Sequence, residues 1–198
     1  MKANTAHTPQ APQDEALLIR RILDGQTELF RQLVVRYAEP VLRVVGRVVP
    51  SPEDAEEVVQ DTLLAAFRSL DRYDALRASF HTWLMAIAYH TAMNRIRREH
   101  RLSFADTDQA SLDAIPDAEA DALLSDSRQE RLALLDRAVA LLLPDDQLML
   151  SLYYYDDRPI GDIALITDRS EGYLRSRLQW IRKRLALTIK TLETHDEE

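Results

Sequence analysis

The chain has 198 residues, 46% of them hydrophobic, and a formal net charge of −8. It holds no cysteine, which excludes disulfides, thiolate zinc sites and thiol chemistry. No apolar run reaches the length of a membrane span and no signal peptide opens the chain, so a cytoplasmic protein without membrane insertion is the default expectation.

Glycine is rare at 4 residues, β-branched alternation is nearly missing, and Leu, Ala, Arg, Asp and Glu dominate. That composition favours an all-α protein. Residues 1–13 are polar, carry Pro9 and Pro12, and read as a disordered tail. A helix is predicted over residues 14–24, with Leu17, Leu18, Ile22 and Leu23 apolar and Gly25 as its stop. A longer helical stretch follows, carrying Leu29, Phe30, Leu33, Val34, Tyr37, Val41, Val44, Val45 and Val48. Pro40 is expected to kink or break it.

The third helix has a clear start. Ser51 can cap it, Pro52 suits its first position, and Asp54 lies near the positive end of its dipole. Ala55, Val58, Val59, Leu63, Ala66, Phe67 and Leu70 make its buried face, with Glu53, Glu56, Glu57, Gln60 and Asp61 on the other sides. After a loop over residues 71–78, Ser79 is the expected cap of a fourth helix. Phe80, Trp83, Leu84, Ile87, Ala88 and Thr91 form its inner face, and Arg95, Arg97, Arg98 and Arg101 make its far end basic. Residues 102–126 break every periodicity and carry Pro116, as a flexible linker does.

A second helical unit is predicted from residue 127. Leu132, Leu135, Val139 and Leu142 give one helix, which Pro144 ends, and Leu148, Leu152 and Tyr153 give another. Pro159 suits the first position of a short helix carrying Ile160, Ile163 and Ala164. The turn Thr167, Asp168, Arg169 is polar, and Ser170 is a good cap for the last helix. There Leu174, Leu178, Ile181 and Leu185 form one apolar stripe, with Arg175, Arg177, Arg182, Lys183 and Arg184 between them. This is the pattern of a helix-turn-helix whose second helix enters a DNA groove. Residues 193–198 read as an acidic, fraying tail.

The negative charge first argues against DNA, but it is unevenly placed. Residues 170–190 hold six bases and one acid, residues 53–61 five acids and no base, and residues 105–126 seven acids and no base. Separate acidic and basic faces imply two partners, one of them cationic, and weak DNA binding by the chain alone. His81, His90 and His100 are too scattered to argue for a metal. No nucleophile–base pair and no phosphate loop is present, so neither enzyme chemistry, a cofactor nor a small-molecule substrate is expected.

Four blocks carry a resemblance to a known family: DAEEVVQD at residues 54–61, SFHTWLMAIAYHTAMNRIRREHR at 79–101, LLLPDDQLMLSLYYYDDRPIGDIA at 141–164, and SEGYLRSRLQWIRKRL at 170–185. They resemble the bacterial RNA polymerase sigma factors of the extracytoplasmic-function (ECF) group, in order and over about residues 14–190. The chain departs from the group's pattern at His90, where the group often has Asn, at Asn94, where it often has Asp, and at Thr167, Asp168 and Arg169, where small and apolar residues are usual.

The resemblance implies a region 2 domain over residues 14–101, a linker over 102–126 and a region 4 domain over 127–192. It implies that Asp54, Glu56, Glu57, Gln60 and Asp61 meet a basic coiled coil on the polymerase clamp, and that region 4 meets the polymerase flap. Tyr73, Arg77, Trp83, Asn94, Arg97, Arg98 and Arg101 would then act on the −10 element, with core packing an equal alternative for Trp83. Arg169, Ser170, Glu171, Tyr173 and Arg175 would read −35 bases, while Arg177, Arg182, Lys183 and Arg184 would hold phosphates. The acidic linker would thread a basic channel of the polymerase, and an anti-sigma protein would control the factor. Two other readings stay open from the residues alone. One is a dimeric DNA-binding regulator with a helical sensing domain, and the other is a helical adaptor that touches no nucleic acid.

Overall fold

The computed structural model describes residues 12–99 and 129–196, and among them it holds eight α-helices and no strand. Of the tail expected over residues 1–13, residues 1–11 lie outside the described residues, as does the acidic linker with Arg101, while residues 12 and 13 belong to the first helix. The N-terminal half holds α1 (Pro12–Leu23), α2 (Phe30–Val45), α3 (Pro52–Arg68) and α4 (Phe80–Glu99). The C-terminal half holds α5 (Gln129–Ala140), α6 (Pro144–Leu150), α7 (Ile160–Thr167) and α8 (Glu171–Asp196).

The expected starts and stops are largely where the sequence puts them. The Asp54 N–H donates to the Ser51 hydroxyl at 3.2 Å, with Pro52 in the first turn of α3. The Thr82 N–H donates to Ser79 at 3.1 Å and the Tyr173 N–H to Ser170 at 3.2 Å. Each cap satisfies one N–H that the helix itself cannot reach. Gly25 ends α1 at φ +105°, a conformation open to a residue without Cβ.

Three expectations are corrected. Pro40 does not break α2, which runs through it as one helix. The proline removes one hydrogen bond, but Leu33, Tyr37, Val41, Val44 and Val45 on the buried face hold both sides of it in the core. Pro159 is the capping residue of α7 with extended backbone, so the helix begins one residue later, at Ile160. The last helix continues into the expected tail, to Asp196, with Leu192 packed on the core.

Both halves share one hydrophobic core. In the N-terminal half, α3 and α4 pack on α2, while Arg36 and Tyr37 of α2 bond Glu15 of α1. In the C-terminal half, α8 lies across α5 and α7, burying Leu174, Leu178, Ile181, Leu185 and Ile189. At about 1.5–3 kcal/mol per buried aliphatic side chain, that stripe is what seats α8. The two halves meet because α4 is buried on two faces. Phe80, Leu84 and Ala88 form the inner face expected from sequence, yet Thr82, Met85, Tyr89, Ala92, Met93 and Ile96 are buried as well. The helix that α4 packs along on this second side is α7.

Candidate nucleic-acid interface

The acidic row stands on α3, whose buried residues Ala55, Val58, Val59, Thr62 and Leu63 turn Glu53, Glu56, Glu57, Gln60 and Asp61 outward. Asp54 is half-buried. Arg95 of α4 reaches across and bonds Asp54 and, at 2.7 Å, Glu57. The acidic face is thus partly neutralised by a base that sequence assigned to the far end of α4. Glu56, Gln60 and Asp61 remain exposed.

On α4 the expected −10 residues fall on one side of the helix. Trp83, Asn94 and Arg98 lie within a narrow arc at 100° per residue, with Arg97 beside them. Asn94, Arg97 and Arg98 are exposed. Trp83 is half-buried in an aromatic cluster, its ring centroid 5.5 Å from Tyr73 and 5.6 Å from Phe80. This makes Trp83 and Tyr73 packing residues with one edge to solvent rather than free wedges. Arg77 is exposed on the preceding loop. The set does not converge on one pocket: eleven residues separate Trp83 from Asn94, about 16 Å along the axis. It forms a strip at two ends of one face.

The start of α8 gathers Arg169, Ser170, Glu171, Tyr173 and Arg175, all exposed. Asp168 closes α7 in the left-handed region at φ 55°, a conformation that Asp tolerates better than most residues, and so sets the corner between the two helices. Ser170 spends its hydroxyl on the cap, Glu171 pairs with Arg175 at 2.7 Å, and the Arg169 guanidinium lies 5.3 Å from the Tyr173 ring centroid. The backbone and three side chains, Arg169, Tyr173 and Arg175, therefore face outward at the helix N-terminus, where a groove-reading helix presents its contacts.

Arg177 does something else. Its guanidinium forks onto the Asp146 carboxylate at 2.7 and 2.9 Å and lies 4.2 Å from the Trp180 ring centroid. Asp146 is 1% exposed. Burial raises its carboxyl above the ordinary range, while Arg177 acts to lower it. In this structure Arg177, expected at a phosphate, braces α8 on α6. Nor do Arg182, Lys183 and Arg184 form one basic face, because consecutive helical residues point about 100° apart. Arg182 borders a groove against α5 and α6, and Arg184 borders a smaller one against Leu141 and Leu187.

Several residues that organise the site were missed from sequence. Asp145 accepts a hydrogen bond from Tyr89 of α4 and stands 4.0 Å from Arg169. Asp156 meets His81 at 2.8 Å and Asp162 accepts from Thr82 at 3.0 Å. The α6 helix passes straight into a π turn, Ser151–Tyr155, which swings the Tyr155 ring under Arg47, 3.8 Å from ring centroid to guanidinium. The acidic pair after Pro144 and the double apolar face of α4 were the signals available. Among the described residues no group of His, Cys, Asp and Glu could hold a metal, and no helix is long and apolar enough to cross a membrane.

Comparison with known proteins agrees with this architecture. The family model for sigma-70 region 2 matches residues 33–102, and that for sigma-70 region 4 matches residues 132–185. Those modules define the class, a sigma-70-type transcription factor. The ECF RNA polymerase sigma-E factors of Salmonella typhimurium LT2 and Escherichia coli K12 are each 32% identical over 171 residues, covering 83% of this chain and 88% of theirs. The RNA polymerase sigma-H factor of Pseudomonas aeruginosa is 29% identical over 183 residues, 88% of this chain and 93% of its own. The chain belongs to the ECF sigma factors. Two solved structures share its fold: CnrH in complex with the cytosolic domain of CnrY, with a TM-score of 0.62 at 20% identity over 88% of this chain and 96% of the other, and RpoE in complex with the anti-sigma factor NepR from Bartonella quintana, with a TM-score of 0.59 at 19% identity over 81% and 96%.

Proposed function

We propose that this ECF sigma factor binds core RNA polymerase, reads the −35 and −10 elements of a promoter and assists melting at −10. The observation that carries the reading is the pair of outward faces on separate helices, Arg169, Tyr173 and Arg175 on the start of α8, and Asn94, Arg97 and Arg98 on α4. Arg169 and Arg175 suit guanine edges in the major groove, and Tyr173 adds an apolar contact. Arg97 and Arg98 suit phosphates, Asn94 a base edge, and the open edge of the Tyr73–Trp83 cluster an unstacked base near Arg77. On this reading region 2 spans residues 14–101 and region 4 spans 127–192.

Polymerase would be held at two places. The exposed row Glu56, Gln60, Asp61, with Glu57 and Asp54 beside Arg95, would meet the basic clamp coiled coil, where complementary charge sets register and on-rate. The groove of about 550 Å³ lined by Leu135, Val139, Leu150, Tyr154 and Leu185 would take an apolar segment of the flap. The acidic linker would follow the basic channel of the polymerase. A protein of the anti-sigma class would hold the factor inactive, as the fold is shared with an RpoE captured on such a partner. The working place of such a factor is the cytoplasm.

Run-off transcription tests the whole reading. Core polymerase with this protein should yield a promoter-specific transcript that core alone does not, and the absence of that product would refute it.

A further inference from the structure

Buried hydroxyls in this chain are satisfied, with one exception. Thr62 and Thr167 each donate to the carbonyl four residues back at 2.7 Å, and Thr82 donates to Asp162 at 3.0 Å. Ser151 is as deeply placed, at 2% exposed, yet its hydroxyl has no hydrogen-bond partner among the described residues. A buried polar group left without a partner is rare in a native fold. Ser151 lines the groove of about 550 Å³ between α5, α6 and α8, and it opens the π turn Ser151–Tyr155. Such turns are frequent at functional sites. Tyr155 stands one turn on from Ser151, and its ring carries the Arg47 guanidinium, 3.8 Å from the centroid. The stack occupies the face of the guanidinium and leaves the five N–H donors in its plane. No carboxylate meets Arg47 among the described residues. Arg182 also borders the groove, and the one acid of its lining, Asp136, is exposed. Gln147 spends its amide on the Leu142 carbonyl at 2.8 Å.

We propose that this groove is a binding site for a small amphipathic carboxylate, with its apolar chain against Leu135, Val139, Leu150 and Leu185 and its carboxylate held by Arg47 and Ser151. The volume falls within the range of about 300–1,000 Å³ that small-molecule sites occupy, and apolar walls with a few polar groups are their usual lining. The polar groups decide the class of ligand. An ionised carboxylate only accepts hydrogen bonds, and a guanidinium edge and a free hydroxyl are both donors. Bonds from a guanidinium to a carboxylate are about twice as strong as neutral ones, whereas an ammonium ligand would be repelled and an alcohol would leave Arg47 without a charged partner. Two arginines against one acid in the lining favour an anion in the same way. The consequence for transcription rests on the sigma-factor reading above, in which the same groove takes an apolar segment of the flap: a bound carboxylate excludes that segment.

Isothermal titration calorimetry of the full-length chain, without polymerase, tests the site with decanoate below its micellar range and with decanol as the neutral match. Decanoate should bind at one per chain, and decanol at least about tenfold more weakly. Arg47→Gln, at an exposed position, should weaken decanoate by about tenfold and leave decanol unchanged. Ser151→Ala should weaken decanoate by about fivefold without lowering the melting temperature of the free protein, because no bond within the protein is lost. No saturable binding of decanoate, equal binding of decanol, or full affinity in Arg47→Gln would each overturn the site. Phosphatidylglycerol vesicles present the same pairing of anion and acyl chain from a bilayer. They should not sediment the protein, and sedimentation without binding of free decanoate would make the surface a membrane contact and overturn the proposal. In run-off transcription, decanoate should lower the product of the wild type and spare that of Arg47→Gln, and an undiminished product at saturating decanoate would overturn the exclusion of the flap segment. Absence of promoter-specific transcript without decanoate would sink the sigma-factor reading instead, while calorimetry would still decide the site.

Discussion

Asp146 shows how one side chain decides the presentation of a helix. It is buried, it receives both arms of Arg177, and it holds α8 on α6. Asp146→Ala removes a partner from a buried pair, and should cost about 3 kcal/mol of stability in a denaturant titration. It should weaken matched and mismatched −35 duplexes alike, because it misplaces the helix without touching a base. Arg175→Ala should behave differently. Losing a base-reading arginine costs about 1–3 kcal/mol on the matched site and flattens discrimination, measured by competition between promoters. The buried tyrosines carry a pH signature. Burial, with the carboxylate of Asp145 second, pushes the Tyr89 phenol well above its ordinary value, and burial with Glu15 does the same for Tyr37. A raised folded-state value means that the stabilisation is fully present below about pH 10, the unfolded tyrosine value, and is lost as the pH climbs above it. Melting temperature should therefore fall more steeply above pH 10 in the wild type than in Tyr89→Phe.

At the scale of elements, caps and stripes explain why each helix begins where it does and which way it faces. Ser170→Ala leaves the Tyr173 N–H of α8 without its partner and should cost about 1 kcal/mol, read as a lowered midpoint of unfolding. The effect on DNA should be small, since the Ser170 hydroxyl is already spent on the cap. The row on α3 makes the opposite demand, on charge alone. Replacing Glu56 and Asp61 with lysine should slow association with core polymerase and make it less sensitive to salt, while leaving stability nearly unchanged, because both side chains are exposed. The groove beside α5 and α6 is the third element-scale feature. Its walls come from Leu135 and Val139 of α5, Leu150 of α6, Tyr154 and Tyr155 of the π turn and Leu185 of α8, with Arg47 at its border.

For the whole molecule, the two helical halves share one hydrophobic core. A net charge of −8 works against binding of duplex DNA by the chain alone. On the proposed reading, polymerase would fix region 2 and region 4 at two docking points, so that the second promoter contact would become intramolecular. Direct binding of the free protein to promoter duplex should be weak at physiological salt and should strengthen sharply once core polymerase is present, in a gel-shift or anisotropy titration. Tight binding by the free protein would favour a plain DNA-binding regulator.

Much of the fold was legible because it depends on neighbours in the chain. Hydrophobic period, Ser51, Ser79 and Ser170 as caps, Gly25 as a stop and the polar corner at Asp168 all act within one or two turns, and they placed the helices and the exposed start of α8 within a few residues. The order of the acidic, aromatic and basic blocks carried the family. What the sequence could not decide were contacts between elements far apart in the chain. Arg95 reads as a basic end until α3 supplies Asp54 and Glu57. Arg177 reads as a phosphate contact until folding seats the buried Asp146 opposite it. Met85, Tyr89 and Met93 stand outside the inner face expected for α4, yet they are buried in the packed structure. In each case the partner lies 31 or more residues away, and only the packed core brings the two charges or the two faces within a few ångströms.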